Sequence, residues 1–480
     1  MLTRHADTSL TGQLSARFAQ RIRDRLMAPG ARLPSVRQCA QAQGVSPSTV
    51  VAAYDHLLAL GLVEARRNRG FFVRDTQLDS TSKRPPALVD HGDVAPDSGA
   101  DRPSPLPAPV NATMLIRGMF HRPSDRPQPG MGAFPPDWLD AAFVPAALRR
   151  VSSTRNLQLL SQQYGEPAGD ASLRRAMAAR LRAWNVEATP QQIITTVGAT
   201  HALDVISRTL LRPGDPVMVE EPGWAIELAR LQALGMRVLP VPRGPGGPDL
   251  GVMARYCEVH APRLFISVSV LHNPTGDSLS PAAAHQVLRL AEAHDFHIVE
   301  DDTYAHIAPD HATRLAALDG LRRTIHVGGF SKVLAPNWRI GYLAAPHALV
   351  ERLLDTKLLT TLTTPALLEQ AMALCIEQGH LRRHAERLRT RLGQARDRSV
   401  QLARSHGCRL ACEPAGLFGW VDTGVDTDAL SARLLDAGYL LAPGSLFHAG
   451  GGPSTLMRIN FATTQDAQFW QAYSAARARL

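Results

Sequence analysis

The sequence predicts an α/β protein in two pieces: a small helical module ending in a basic hairpin, then a large body of strands alternating with helices. Three observations predict it. Positive charge gathers at the N-terminus, where residues 1–74 hold eleven arginines against four acids, a net +7 that leaves +2 for the other 406 residues. Residues 75–112 carry prolines 85, 86, 96, 103, 105, 107 and 109 among Ser, Asp, Ala and Gly, and read as a semi-extended linker. From about residue 113, apolar runs (QQIITTV, DPVMVEE, MRVLPV, RLFISVSV, FHIVEDD, RTIHVGG) alternate with helical patterns. Several runs are apolar on both faces, as in a parallel sheet covered by helices on both sides.

Composition narrows the class. A chain of 480 residues, 45% hydrophobic and 20% charged, is globular and long enough for two to four domains. No run reaches the length of about 18 apolar residues that a membrane helix needs, and the first ten residues lack the apolar core of a signal peptide. Five scattered cysteines (39, 257, 375, 408, 412) argue against a disulfide framework and for a reducing cytoplasm. Cys408, Cys412 and His406 lack a second ligand pair at zinc spacing, so no metal is expected. Lysine is scarce: only Lys83, Lys332 and Lys357 stand among 49 arginines. A lysine kept in such a background suggests a need for its amine, which can deprotonate and attack a carbonyl as guanidinium cannot.

The elements follow in order. Residues 13–28 place Leu14, Phe18, Ile22 and Leu26 on one helix face, ended by Pro29-Gly30. Ser35 caps a short helix through Gln41, and Gly44 makes a turn. Ser46 caps a second helix with Pro47 at its first position; Val51, Tyr54, Leu57 and Leu58 form its buried stripe, and Gly61 stops it. Residues 62–65 and 71–73 read as strands around a basic tip. Ala40, Gly44 and Val50 have helix-turn-helix spacing, with Val50 packing between the helices.

Residues 32–73, RLPSVRQCAQAQGVSPSTVVAAYDHLLALGLVEARRNRGFFV, resemble the GntR family of winged-helix regulators. The departure is Arg69-Gly70, where the family often has Gly-x-Gly. The resemblance implies a double-stranded DNA operator as partner. Ser35, Ser48 and Thr49 at helix starts, Arg37, and wing residues Arg66, Arg67 and Arg69 are the candidate contacts to phosphate or groove.

The body carries a second series of motifs in chain order. VGAT puts Gly198-Ala199-Thr200 between a strand and a helix, where backbone N–H groups cradle phosphate. EEPGW supplies Trp224, HNPTG supplies Asn273, and VEDDTY supplies Asp301 and Tyr304. GGFSK ends in Lys332 after Ser331, WRIGY supplies Arg339, and LMRINF supplies Arg458. Each motif is weak alone, and Asp301 could be a helix cap or Trp224 core. Their joint order resembles the fold-type I aminotransferases of the aspartate class, from about residue 113 to the end. The implied fold is that of the pyridoxal 5′-phosphate (PLP)-dependent transferases, a large domain with a mostly parallel sheet and a smaller C-terminal domain. By this resemblance Lys332 binds the cofactor as its aldimine and Asp301 pairs with the pyridine nitrogen. Asn273 and Tyr304 bond the ring hydroxyl and Trp224 stacks on the ring. Ala199, Thr200, Ser331 and Arg339 hold the phosphate. Arg458 takes a substrate or effector carboxylate, and Tyr164 reaches the phosphate of a neighbouring subunit. Gly329 stands where a Ser or Thr usually adds a phosphate-binding hydroxyl, so one donor is missing. His201, beside the cradle, reads as a polar first-turn residue rather than a pH-sensitive group.

Together, residues 1–74, 75–112 and 113–480 resemble the MocR subfamily of GntR regulators: reader, linker and aminotransferase-like body. The resemblance implies a head-to-tail homodimer whose body senses PLP or an amino compound, with closure of the small domain as the two-state element. The rival reading is a working aminotransferase that carries a DNA-binding domain. The first reading expects only slow transamination.

Overall fold

The computed structural model describes residues 9–24, 27, 30–66, 70–74 and 125–480. The linker 75–112 and the wing residues Arg67 and Arg69 lie outside the described residues. The chain divides into two compact units, Met1–Arg122 and Pro123–Leu480.

In the first unit, helix α1 (Leu10–Arg23) starts at Ser9, whose side chain accepts from the Gly12 amide. It begins earlier than the 13–28 reading, because Ser9 offers a cap that the apolar spacing does not signal, and it ends at Arg23; Leu26 lies outside the described residues. Helix α2 (Val36–Gln43) runs two residues past Gln41; Ser35 and Gln38 form a reciprocal capping box, and Gly44, at φ 64, closes it. Helix α3 (Pro47–Ala59) is capped by Ser46, whose Oγ accepts from the Thr49 amide at 3.1 Å. Its buried stripe is Val50, Ala53, Tyr54 and Leu57, while Val51 is exposed. The expected inclusion of Val51 is therefore corrected: a three-then-four spacing from Val50 matches the turn of the helix better than one starting at Val51.

Strands β1 (Val63–Arg66) and β2 (Gly70–Val73) pair antiparallel, with Val63 opposite Val73 and Arg66 opposite Gly70. Each lies one residue off the sequence reading. Tyr54 anchors this core: Phe18 and Phe71 meet its ring edgewise at 5.6 and 5.1 Å, and its hydroxyl donates to the Pro34 carbonyl at 2.9 Å.

The second unit is built on an eight-stranded sheet. Its strands are β3 (Ile193–Thr196), β4 (Pro216–Glu221), β5 (Arg237–Gly244), β6 (Gly247–Pro248), β7 (Leu264–Ser267), β8 (His297–Asp301), β9 (Thr324–Gly329) and β10 (Gly341–Ala344). Their spatial order is β3-β10-β9-β8-β7-β4-β5-β6. The run from β9 through β8, β7 and β4 to β5 is parallel; β10 and β6 run antiparallel to their neighbours. Both faces are covered, as the all-apolar runs predict. Val217, Val219, Leu264, Ile266 and Val299 pack into one cluster, while Met218, Phe265 and Ile298, the alternate residues of the same strands, pack into another.

Beyond the long helix His380–Ser405 lies a four-stranded antiparallel sheet in the order β11-β12-β14-β13. Its strands are β11 (Arg409–Leu410), β12 (Phe418–Asp422), β13 (Ala442–Pro443) and β14 (Leu456–Asn460). Among the described residues no helix is long and apolar enough to cross a membrane.

Candidate functional site

The strand ends of the large sheet position the candidate groups. β8 ends on Asp301, which is buried; the Thr303 amide donates to its Oδ1 at 3.1 Å, and so does the Thr303 hydroxyl. Burial pushes the Asp301 carboxyl up to about 6 against those hydrogen bonds, and nearby Glu227 and Asp302 push it the same way. Lys332 lies three residues past β9 and its Nζ donates to the Gly132 carbonyl at 2.7 Å. Burial pulls the Lys332 ammonium down to about 8; Arg458 and Arg339 add to that pull and Asp301 opposes it. Asp301, Lys332, Arg458 and Arg339 thus lie within electrostatic reach of one another around the amine.

Asn273 and Tyr304 complete this end of the site. Both are buried, and burial raises the Tyr304 phenol while the neighbouring Arg458 and Asn273 oppose the rise. The Tyr304 ring meets Phe418 edgewise at 5.6 Å. Arg458, on β14, gives Nη1 to Asn273 Oδ1 at 2.8 Å and Nη2 to the Gly130 carbonyl at 2.5 Å. Its guanidinium also faces the rings of Phe418 and Phe447, at 4.4 and 5.2 Å. Its Nε is buried and has no partner among the described residues, and burial pulls the group down to about 10.

At the other end is an anion cradle. Helix Ala199–Leu210 begins after Gly198 with no side chain capping its first amides. Gly198 has φ 79, and a Cβ there would collide with Arg339 Nη2. Arg339 donates to Ser331 Oγ at 3.0 Å and to the Val197 carbonyl at 3.3 Å, from a left-handed backbone at φ 52. Ala199 is half-buried and Thr200 is exposed at the helix start. His201 holds the turn: its Nδ1 accepts the Val197 amide at 3.1 Å and its Nε2 bonds Thr361 Oγ1 at 2.9 Å. Burial lowers its pKa, so the neutral ring that this acceptor role requires is the favoured form.

Trp224 sits at the start of helix Ala225–Ala233, half-buried against the Val217 cluster. Tyr164 is not part of the gathering: it is 82% exposed. Gly329 has space for a side chain, because a Cβ there would meet only ordinary contacts, the nearest 3.4 Å away at the Ile340 carbonyl oxygen.

In the first unit Ser35, Arg37 and Ser48 are exposed. Thr49 is half-buried, and its hydroxyl lies 2.8 Å from that of Ser46. Arg66 is exposed, paired with Glu64 at 2.7 Å and stacked on Phe72 at 4.6 Å. Sequence reasoning passed over Gly130 and Gly132, whose carbonyls take the two cations, and Asn460, two residues beyond Arg458. The glycines of PGMG and the asparagine in LMRINF were the available signals.

The donor set fits PLP. An uncapped helix start with a guanidinium offers a phosphate site. A buried carboxyl with a raised pKa suits a pyridine N–H, the lowered lysine suits an aldehyde, and the orphaned Arg458 Nε suits a carboxylate.

Known proteins match both units. The family model "Aminotransferase class I and II" matches residues 139–475, and "Bacterial regulatory proteins, gntR family" matches residues 10–73. An HTH-type transcriptional regulator of Bacillus subtilis strain 168, YisV, is 27% identical over 99% of this chain and 97% of its own length. The probable rhizopine catabolism regulatory protein MocR of Rhizobium meliloti is 29% identical over 85% of this chain and 79% of its own. The solved structure of LysN, the alpha-aminoadipate aminotransferase of Thermus thermophilus, shares the fold at a TM-score of 0.67 and 24% identity, covering 77% of this chain and 94% of that one. The chain therefore belongs to the aminotransferase class I and II family and joins that body to a gntR-family winged helix, the composition of the MocR-type regulators.

Proposed function

We propose that this chain is a PLP-binding transcriptional regulator. Its winged helix reads a double-stranded DNA operator, and its body senses PLP or an amino compound at Lys332. The observation that carries this reading is one chain holding a gntR-family module over residues 10–73 and a gathered Lys332–Asp301–Arg458 cluster beside an uncapped helix start. Relatives with names of the HTH-regulator type match it along nearly their whole length. We assign the reader to residues 1–74, the linker to 75–112 and the body to 113–480, in a cytoplasmic protein.

Ala199 and Thr200 amides, Ser331 and Arg339 would hold the cofactor's phosphate. Asp301 would keep the pyridine nitrogen protonated. Asn273 and Tyr304 would bond the ring hydroxyl, and Trp224 would stack on the ring. When bound, PLP supplies an electrophilic aldehyde and a ring that takes up electrons from an amine carbon. Lys332 supplies the amine that captures it and the base that moves a proton. Arg458 would orient a carboxylate, a task suited to its planar fork.

On DNA, Arg37, Arg66, Arg67 and Arg69 would neutralise phosphates, while Ser35, Ser48 and Thr49 would contact the groove or backbone. The exposed Glu64–Arg66 pair contributes little in water and is easily surrendered to a phosphate. A head-to-tail homodimer is supported by apolar surface on the body. Helix Thr154–Gln162 buries none of its residues, and Leu159, Leu359 and Leu362 are 59, 90 and 51% exposed, as is the outward Tyr164 at 82%. Tyr164 would then reach the neighbour's phosphate.

A DNA titration against the chain's own upstream region, with PLP-free and PLP-loaded protein and then a panel of amino acids, tests the reading. A shift in affinity or footprint with PLP or one amine supports a sensor. The second reading, a metabolic aminotransferase, draws on the same complete residue set. Brisk amino-donor turnover with DNA binding absent or indifferent would favour it.

A further inference from the structure

Within residues 128–134, two carbonyls meet cations of the site. Gly132 O accepts from Lys332 Nζ at 2.7 Å, and Gly130 O accepts from Arg458 Nη2 at 2.5 Å. The two groups a cofactor and an effector would need are thus both engaged by one short segment. Asn460 fixes the same segment from β14: its Nδ2 donates to the Met131 carbonyl at 2.9 Å and the Ala133 carbonyl at 2.7 Å, and its amide donates to the Pro129 carbonyl at 3.0 Å. Asn460 is fully buried and stands two residues from Arg458, on the same face of the strand. Gln128 ties the start down, accepting the Leu440 amide at 2.7 Å, while the Gly130 amide donates to the Leu440 carbonyl at 2.8 Å. A Cβ at Gly130 would collide with the Leu441 carbonyl carbon, so the seat admits only glycine. In sequence, the segment follows the stretch that leads from the N-terminal module.

We propose that residues 128–134 are the element that registers occupancy of the site, and that Asn460 is its positioning residue. This rests on the PLP reading above. Capture of an aldehyde requires Lys332 to shed a proton; its nitrogen then bonds the aldehyde carbon and the aldehyde oxygen leaves as water. A nitrogen so bonded has at most one hydrogen left to donate. Gly132 O therefore loses its ammonium partner and becomes the natural acceptor for the ammonium of an incoming amino compound. A carboxylate that takes the Arg458 fork displaces Gly130 O. PLP capture releases the Gly132 anchor and a carboxylate releases the Gly130 anchor, so the ligand class that moves the second carries a carboxylate beside its amine; an amine alone leaves Gly130 O on Arg458.

The groups facing Lys332 are Asp301 at the end of β8, Arg458 on β14 and Arg339 before β10, with Gly132 O from the segment. Gly132 O and Asp301 favour the ammonium; burial and the two arginines favour the amine. Loosening the segment removes one acceptor and shifts the balance toward the amine.

The test uses the full-length chain. Backbone hydrogen exchange across residues 128–134 is followed without ligand, with PLP, and with PLP plus either glycine or methylamine, which differ by one carboxylate. Exchange is expected to rise with PLP and to rise further with glycine, but not further with methylamine. Uptake of PLP, read by its visible absorbance, together with unchanged exchange overturns this proposal while leaving the PLP reading intact; no uptake overturns both. In Asn460→Ala, the pH midpoint of PLP uptake should fall by about one unit, and Asn460→Ser, which keeps a donor, should fall less. An unmoved midpoint in a folded Asn460→Ala chain removes Asn460 from the role.

Discussion

Asp301 shows how function works against stability at the scale of one residue. Its carboxyl is raised from 3.8 to about 6, so the folded chain holds a proton that the unfolded chain releases. Such a group contributes stability below about pH 4 and loses it as pH rises to about 6. The ionised form at neutral pH therefore costs the PLP-free fold about 3 kcal/mol. Asp301→Asn should recover about that much at pH 8 and little near pH 4, measured by urea unfolding of PLP-free protein at both values. A gain independent of pH would contradict the assignment. Lys332→Ala should abolish the visible band that appears on adding PLP while leaving the far-ultraviolet circular dichroism intact; a retained band would place the amine elsewhere. Asp301, Lys332 and Arg458 were singled out in the sequence by the joint order of their motifs, with Lys332 one of only three lysines. The burial that tunes them was not legible there, because it depends on residues far away in the chain.

The helix Ala199–Leu210 and the strands around it set the phosphate cradle. Gly198 is required twice over, by φ 79 and by the Arg339 guanidinium that occupies the place of a Cβ. Gly198→Ala should weaken PLP binding at least about tenfold, since moving one guanidinium from a charge-assisted bond costs more than about 1.4 kcal/mol. An absorbance titration against PLP measures this, and unchanged affinity would remove Arg339 from the cradle. Helix starts were readable from Ser35, Ser46 and the glycines, because caps are local chemistry. Strand β10 was not read: four residues, GYLA, carry too short a pattern, and their antiparallel seat between β3 and β9 is decided by the sheet.

Over the whole molecule, the two proposed partners, an operator and a second copy of the chain, can each be tested by one substitution. Arg37→Ala should weaken DNA binding and reduce the slope of log affinity against log salt by about 0.9, the release from one phosphate. A slope equal to that of the wild type would show that Arg37 touches no phosphate. Leu159→Asp should turn the proposed dimer into a monomer in sedimentation, since a carboxylate would be buried at the apolar face; an unchanged dimer would move the interface away from helix Thr154–Gln162. The two-piece organisation, the basic reader and the order of the PLP-site motifs were determined by the sequence alone, because composition, caps and side-chain chemistry act locally and leave a mark in residue type. The tertiary structure alone decided that Val51 faces solvent, and that Gly130 and Gly132 hold Arg458 and Lys332. The last pairings join positions 328 and 200 residues apart through backbone carbonyls. Every residue carries such a carbonyl, so its role is written by the fold and not by the residue type.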